Sequence, residues 1–211
     1  MSVEPAEGRR RFVLSLPLLA VLPWSLCGIA ATLPTPGQML GPFYPLQPDP
    51  AAGNDLATVD GRVRALGAPL TIVGRVRDTT GRARAGVLVE IWQTNAHGRY
   101  HHPHDDSPLP LDPDFRGYGR AATGSEGDYR FRTVMPVAYP GRTPHVHFRL
   151  SRGARELLVT QMYLPGEAGR QNQRDGLFMS VDAAERARLV GVAQAGEPGT
   201  LRFDIVIDGG R

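Results

Sequence analysis

Pro144-His-Val-His-Phe-Arg-Leu150 alternates polar and apolar side chains, and a period of two marks a strand half buried against a core. In such a strand His145, His147 and Arg149 share one face, and Val146, Phe148 and Leu150 share the other. At roughly 3.3 Å of rise per residue, the two histidine Cα atoms lie about 6.6 Å apart. Leaning together, the two imidazoles can meet one ion at about 2.1 Å from each nitrogen. The same spacing suits two solvent-facing histidines on an ordinary strand. What accompanies the pair decides between the readings.

Outward from this stretch the chain keeps the same character. Its 25 Gly and 19 Pro, set among apolar runs of half a dozen residues, favour short strands and turns over helices. Leu70–Arg77, the turn Asp78–Gly81 and Gly86–Gln93 read as a hairpin. The turn Gly124–Gly127 feeds a second one through Asp128–Val134, whose Tyr129, Phe131 and Thr133 fall on one face. Strands follow at Thr143–Leu150, Leu157–Tyr163 and Leu201–Ile207. A helix is expected over about Val181–Ala193, capped by Ser180 or Asp182. A Pro- and Asp-rich loop from Ala96 to about Gly119 is long enough to serve function. The pattern predicts an all-β fold, an antiparallel β-sandwich with long loops and one short C-terminal helix.

The first residues read as an address. Arg9-Arg10-Arg11-Phe12 precedes an apolar run from Val13 to about Leu26, too short to span a bilayer well, and Gly28, Ala30 and Ala31 offer a cleavage site. The arginines resemble a twin-arginine leader, which carries folded proteins. The expected organisation is a signal peptide at 1–31, an extended arm at 32–67 that packs through Met39, Leu40, Phe43 and Tyr44, and the sandwich at 68–211. The protein is then exported, to the periplasm or otherwise beyond the cytoplasm, unless the leader stays as a membrane anchor or Cys27 carries a lipid. Cys27 is the only cysteine, so a processed chain has no disulfide, zinc thiolate or cysteine nucleophile. All 24 basic side chains are Arg, scattered against a net charge of +3, which argues against nucleic-acid binding.

Longer motifs give the histidine pair its context. Leu88-Val-Glu-Ile-Trp-Gln-Thr-Asn-Ala-His-Gly-Arg-Tyr100, Leu111-Asp-Pro-Asp-Phe115, Gly127-Asp-Tyr-Arg-Phe-Arg-Thr133 and Arg202-Phe-Asp-Ile-Val206 occur in order. Together they resemble the intradiol ring-cleavage dioxygenases, in particular the beta chains of protocatechuate 3,4-dioxygenases. The resemblance runs from Thr35 to about Asp208. It implies one non-haem Fe(III) per chain, held by Tyr100, Tyr139, His145 and His147. Phenolate oxygens and imidazoles suit a hard trivalent cation. It further implies a catechol-type substrate and O2, with both oxygen atoms entering a cis,cis-muconate-type dicarboxylate. Tyr139 would be displaced by the substrate, Arg142 would stabilise charge on the ring, and Gln161 would hydrogen-bond a ligand or the substrate. Family members pair with a non-catalytic chain or with copies of themselves, so a second chain or a homo-oligomer is implied as partner.

Two other readings stay open on sequence alone. Val73-Gly-Arg-Val-Arg-Asp followed by Gly-Asp-Tyr-Arg-Phe also suits a metal-free transthyretin-like binding module, and six histidines suit an exported zinc or copper carrier. His97, His101, His102 and His104 are expected on a solvated loop, Trp92 and Phe131 in the core, and Asp112 and Asp114 in turns.

Overall fold

The computed structural model of the protein describes Met1, residues 32–59 and residues 61–209. Of the leader expected at 1–31, residues 2–31, with its arginines and Cys27, lie outside the described residues. In chain order the strands are Thr58–Val59 (β1), Arg62–Val63 (β2), Pro69–Asp78 (β3), Leu88–Trp92 (β4), Tyr118–Ala122 (β5) and Asp128–Val134 (β6). They continue with His145–Arg152 (β7), Arg155–Tyr163 (β8), Val192–Ala193 (β9), Thr200–Arg202 (β10) and Ile205–Ile207 (β11).

Two sheets face each other. One is built on β3, with β6 on one edge and β10 and β11 on the other; β9 extends β10. The other runs β5-β4-β7-β8. Alternation explains the packing. Leu70, Ile72 and Val76 of β3, with Tyr129 and Phe131 of β6, point at Val89, Ile91, Val146, Phe148, Leu150 and Met162 of the second sheet, and all are buried in one cluster. Tyr129 seals one end of it by donating its hydroxyl to the Phe203 carbonyl.

Three local expectations are corrected. The two hairpins do not form: β3 pairs with β6 and β4 with β5 and β7, so the turns after β3 and β5 carry the chain between sheets rather than back along one. The closing strand breaks at Phe203-Asp204 into β10 and β11, and both pair parallel to β3 in an otherwise antiparallel arrangement. Asp204 accepts the Arg75 N–H where the ladder is interrupted. The helix lies earlier than expected. Asp175 caps a single turn, Gly176–Met179 (α1), while the Ala- and Arg-rich stretch gives only a 3-10 turn at Arg186–Leu189 before β9. Propensity marked that region as helical, but a capping carboxylate set where the turn starts.

Candidate metal centre

The outer face of the second sheet carries the site. Because β7 alternates, Val146 and Phe148 enter the core while His145 and His147 turn outward. Across the ladder His147 stands opposite Trp92 on one side and Gln161 on the other, and His145 stands opposite Tyr163. The arm covers this face. Gln38 N–H bonds the Val159 carbonyl, and Leu40, Phe43 and Tyr44 pack with Trp92, Tyr100, Tyr118 and Tyr139 in a second apolar cluster. Residues that look outward are thereby buried. His145 and His147 are each 2 % exposed, and so is Tyr100.

The donor atoms converge. His145 Nε2 and His147 Nε2 face each other at 3.2 Å, and Tyr100 Oη lies 3.4 Å from His145 Nε2. Tyr139, half-buried, has its ring centroid 5.6 Å from that of Tyr100 and 5.7 Å from that of His145. Its hydroxyl accepts from Arg142 Nη1 at 3.3 Å. The four residues come from a loop, a bridge turn and one strand.

Second partners orient them. His145 Nδ1 lies 2.6 Å from the Thr143 carbonyl, which assigns the proton to Nδ1 and leaves Nε2 with a free lone pair. Among the described residues His147 Nδ1 has no hydrogen-bond partner. That ring is instead held by packing, flat against Trp92 and with Gly41 close to its Cε1 edge. A Cβ at Gly41 would come within 3.1 Å of His147 Cε1, and its φ of +78° is one that glycine adopts freely.

Electrostatics define what the cluster accepts. Burial, helped by the nearby Arg142 charge, pulls His145 down to about 4, and burial with its neighbour His145 pulls His147 well below the usual imidazole value. Both rings are therefore neutral and able to donate lone pairs. Burial pushes the Tyr100 phenol well above its ordinary value, with Tyr139 adding and Arg142 opposing; burial likewise raises Tyr139 against the pull of Arg142. Without a cation the phenols stay protonated. A multiply charged ion placed among them reverses that balance, as bound metals do. Among the described residues no three His, Cys, Asp or Glu side chains gather into a metal site. The side-chain oxygens beside the two imidazoles are those of Tyr100 and Tyr139, and an oxygen-and-imidazole set suits a hard trivalent cation.

Arg142 and Gln161, singled out in the sequence, meet here. Gln161 is fully buried; its Oε1 accepts from Arg142 Nη2 at 2.5 Å and its Nε2 donates to the Met39 carbonyl at 3.4 Å. Burial opposes the charge on Arg142, but hydrogen bonding to Asp175 and the nearby Tyr139 outweigh it and keep the guanidinium ionised. Of the loop histidines, His101 and His104 are exposed and His97 is partly exposed. His102 departs from expectation: it is buried, its ring 5.7 Å from Phe43, because the arm lies over it. Trp92 is buried as expected, yet it lies against His147 rather than in the main core. Asp112 does make a turn, and it is also buried, clamping the Leu66 N–H at 2.7 Å.

Two residues were missed. Glu90 is a buried carboxylate accepting from Tyr118 at 2.5 Å, Tyr44 at 3.0 Å and Arg149 at 3.1 Å; a lone acid inside Leu-Val-Glu-Ile-Trp was its only signal. Asp175 binds Arg142, and only the cap pattern Asp-Gly-Leu-Phe hinted at it.

The chain matches the family described as Dioxygenase over residues 39–209. It is 42% identical over 159 residues to a protocatechuate 3,4-dioxygenase beta chain of Burkholderia cepacia, spanning 68% of this chain and 66% of that one. A chlorocatechol 1,2-dioxygenase of Pseudomonas putida is 34% identical over 116 residues, spanning 46% of this chain and 43% of that one. The chain therefore spans two thirds or less of the length of these curated relatives. Among solved structures, the dioxygenase domain of a dioxygenase carbohydrate-binding protein fusion from the cellulolytic bacterium Streptomyces sp. SirexAA-E superposes with a TM-score of 0.65. It is 33% identical and covers 83% of this chain and 98% of that one.

Proposed function

Because the chain belongs to the intradiol ring-cleavage dioxygenase family, we propose that it opens a catechol-type ring between its two hydroxylated carbons with ferric iron and O2. The product is a cis,cis-muconate-type dicarboxylate carrying both oxygen atoms. The observation that supports this most is that His145 Nε2 has His147 Nε2 at 3.2 Å and Tyr100 Oη at 3.4 Å, beside Tyr139. These four residues would hold one iron per chain. When bound, ferric iron supplies a Lewis acid that drains electron density from a chelated catecholate and readies the ring for O2.

The remaining work falls to side chains. Tyr139 is the less buried of the two phenols, and its Oη would take up a proton that the catechol gives up. Arg142 Nη1, 3.3 Å from that oxygen, would hold the released phenol and stabilise negative charge spreading over the ring. Gln161 would keep the guanidinium turned toward the four-residue cluster. Phe43, stacked on Tyr100 with centroids 4.5 Å apart, would shut water out of the reacting face.

The named relatives act on protocatechuate and chlorocatechol, which supports a ring with adjacent hydroxyls and leaves its substituents open. The beta-chain relative supports a second chain or a homo-oligomer as partner. The leader read at residues 1–31 supports action outside the cytoplasm. The test is O2 uptake by iron-loaded protein given catechol, hydroxyquinol and protocatechuate in turn. One O2 consumed per ring opened, with a muconate-type product, is expected; no uptake with any of them contradicts the reading.

A further inference from the structure

Arg142 sits on the short connection between Tyr139 and His145, where no strand fixes a long side chain. What fixes it comes from far along the sequence. Asp175 Oδ2 accepts from Arg142 Nε at 2.8 Å and from the Thr143 N–H at 3.0 Å. Its Oδ1 accepts from the Leu177 and Phe178 N–H groups at 2.9 and 3.1 Å. With four donors on two oxygens, the carboxylate cannot turn. A guanidinium is planar, so an anchor at Nε also sets the directions of Nη1 and Nη2. Those atoms then point at Tyr139 Oη and Gln161 Oε1.

Capping does not account for this residue. The helix it starts has four residues, and a neutral serine caps as well as an aspartate. The Asp175 side chain is 0 % exposed, and a full charge is costly to bury without a counter-ion. The counter-ion present is Arg142, itself 13 % exposed.

We propose that Asp175 is the positioning residue of the centre: it holds the Arg142 guanidinium plane so that Nη1 faces Tyr139 Oη at the edge of the ligand cluster. The proposal rests on the dioxygenase reading for its effect on turnover, while the ion pair itself can be read in the metal-free protein.

Asp175→Ser separates the two roles, since it keeps a capping oxygen and removes the counter-ion. In metal-free, nitrogen-15-labelled protein, the Arg142 Nε–H should exchange with water at least about tenfold faster in the variant, since burial and hydrogen bonding are what slow exchange. In iron-loaded protein, kcat should fall roughly ten- to a hundredfold with KM within about threefold. In an Arg142→Met background the same substitution should cost nothing further. Unchanged Nε–H exchange, or losses that add in the double variant, would overturn the proposal. Asp175→Asn is measured alongside, and loss of cooperative unfolding in both variants would also overturn it by making Asp175 a folding residue. A wild-type protein inert toward every catechol but with a protected Nε–H counts against the dioxygenase reading and not against the ion pair.

Discussion

Trp92 and His147, opposite each other across β4 and β7, lie with ring centroids 4.8 Å apart and planes 9° from parallel. The two histidines of the pair are thus held by different means. His145 is turned by a hydrogen bond to the Thr143 carbonyl, whereas His147, with no Nδ1 partner among the described residues, is fixed by the Trp92 face and by Gly41 at its Cε1 edge. Ring orientation is what a metal ligand must supply, and here an indole does what a carbonyl does for its neighbour.

Trp92→Ala should therefore cost about 3–5 kcal/mol of stability through the cavity it leaves, and should weaken metal binding by roughly tenfold or more. Trp92→Phe keeps an aromatic face and should retain most of the metal affinity. Urea unfolding and metal titration of both variants check this. Equal metal affinity in Trp92→Ala and wild type would show that His147 needs no such support.

Gly41→Ala probes the Cε1 edge of the same ring. Its φ of +78° predicts a backbone cost of about 1 kcal/mol, and its Cβ would press on His147 Cε1 at 3.1 Å. Gly153→Ala is the matched control, with φ +57° and nothing within 4 Å of the added carbon. Both should lose similar stability, and only Gly41→Ala should lose metal affinity. Parallel behaviour in metal titrations would remove the arm from the account of the site.

Asp78 gives a pH prediction away from the centre. Its carboxylate, at the end of β3, is held below the usual range chiefly by the Thr80 hydroxyl at 2.6 Å, with the Arg82 and Thr80 N–H groups and Arg84 assisting. A carboxyl depressed in the folded state adds stability above its unfolded value, and loses it as pH falls through the folded value. The contribution is thus intact above about pH 4 and fades below it. Asp78→Asn should be destabilised by about 1 kcal/mol at pH 7, and the gap should close under acid. Unfolding curves that stay equally separated at pH 7 and pH 3 would contradict this.

The strands were legible because β3, β6 and β7 alternate in sequence, and the grouping of Tyr100, Tyr139, His145 and His147 was legible because they sit in motifs with characteristic neighbours. Which strands pair was less so. The turn after β3 has the composition of a hairpin turn, and nothing local says that Ala83–Gly86 carries the chain to the other sheet. His102 lies in a run of polar residues and is buried only because an arm from sixty positions earlier crosses it. Asp175 and Glu90 were illegible for a related reason. A buried carboxylate is defined by its counter-ion, and Arg142 and Arg149 are distant in sequence.

If two phenols and two imidazoles form one iron site, a ferric titration of metal-free protein followed in the visible reports it. An intense tyrosinate-to-iron charge-transfer colour should appear, saturate at one equivalent, and be lost or severely reduced in Tyr100→Phe and in His147→Ala. A metal-replete protein without that colour, or iron occupancy unchanged in both variants, would contradict it.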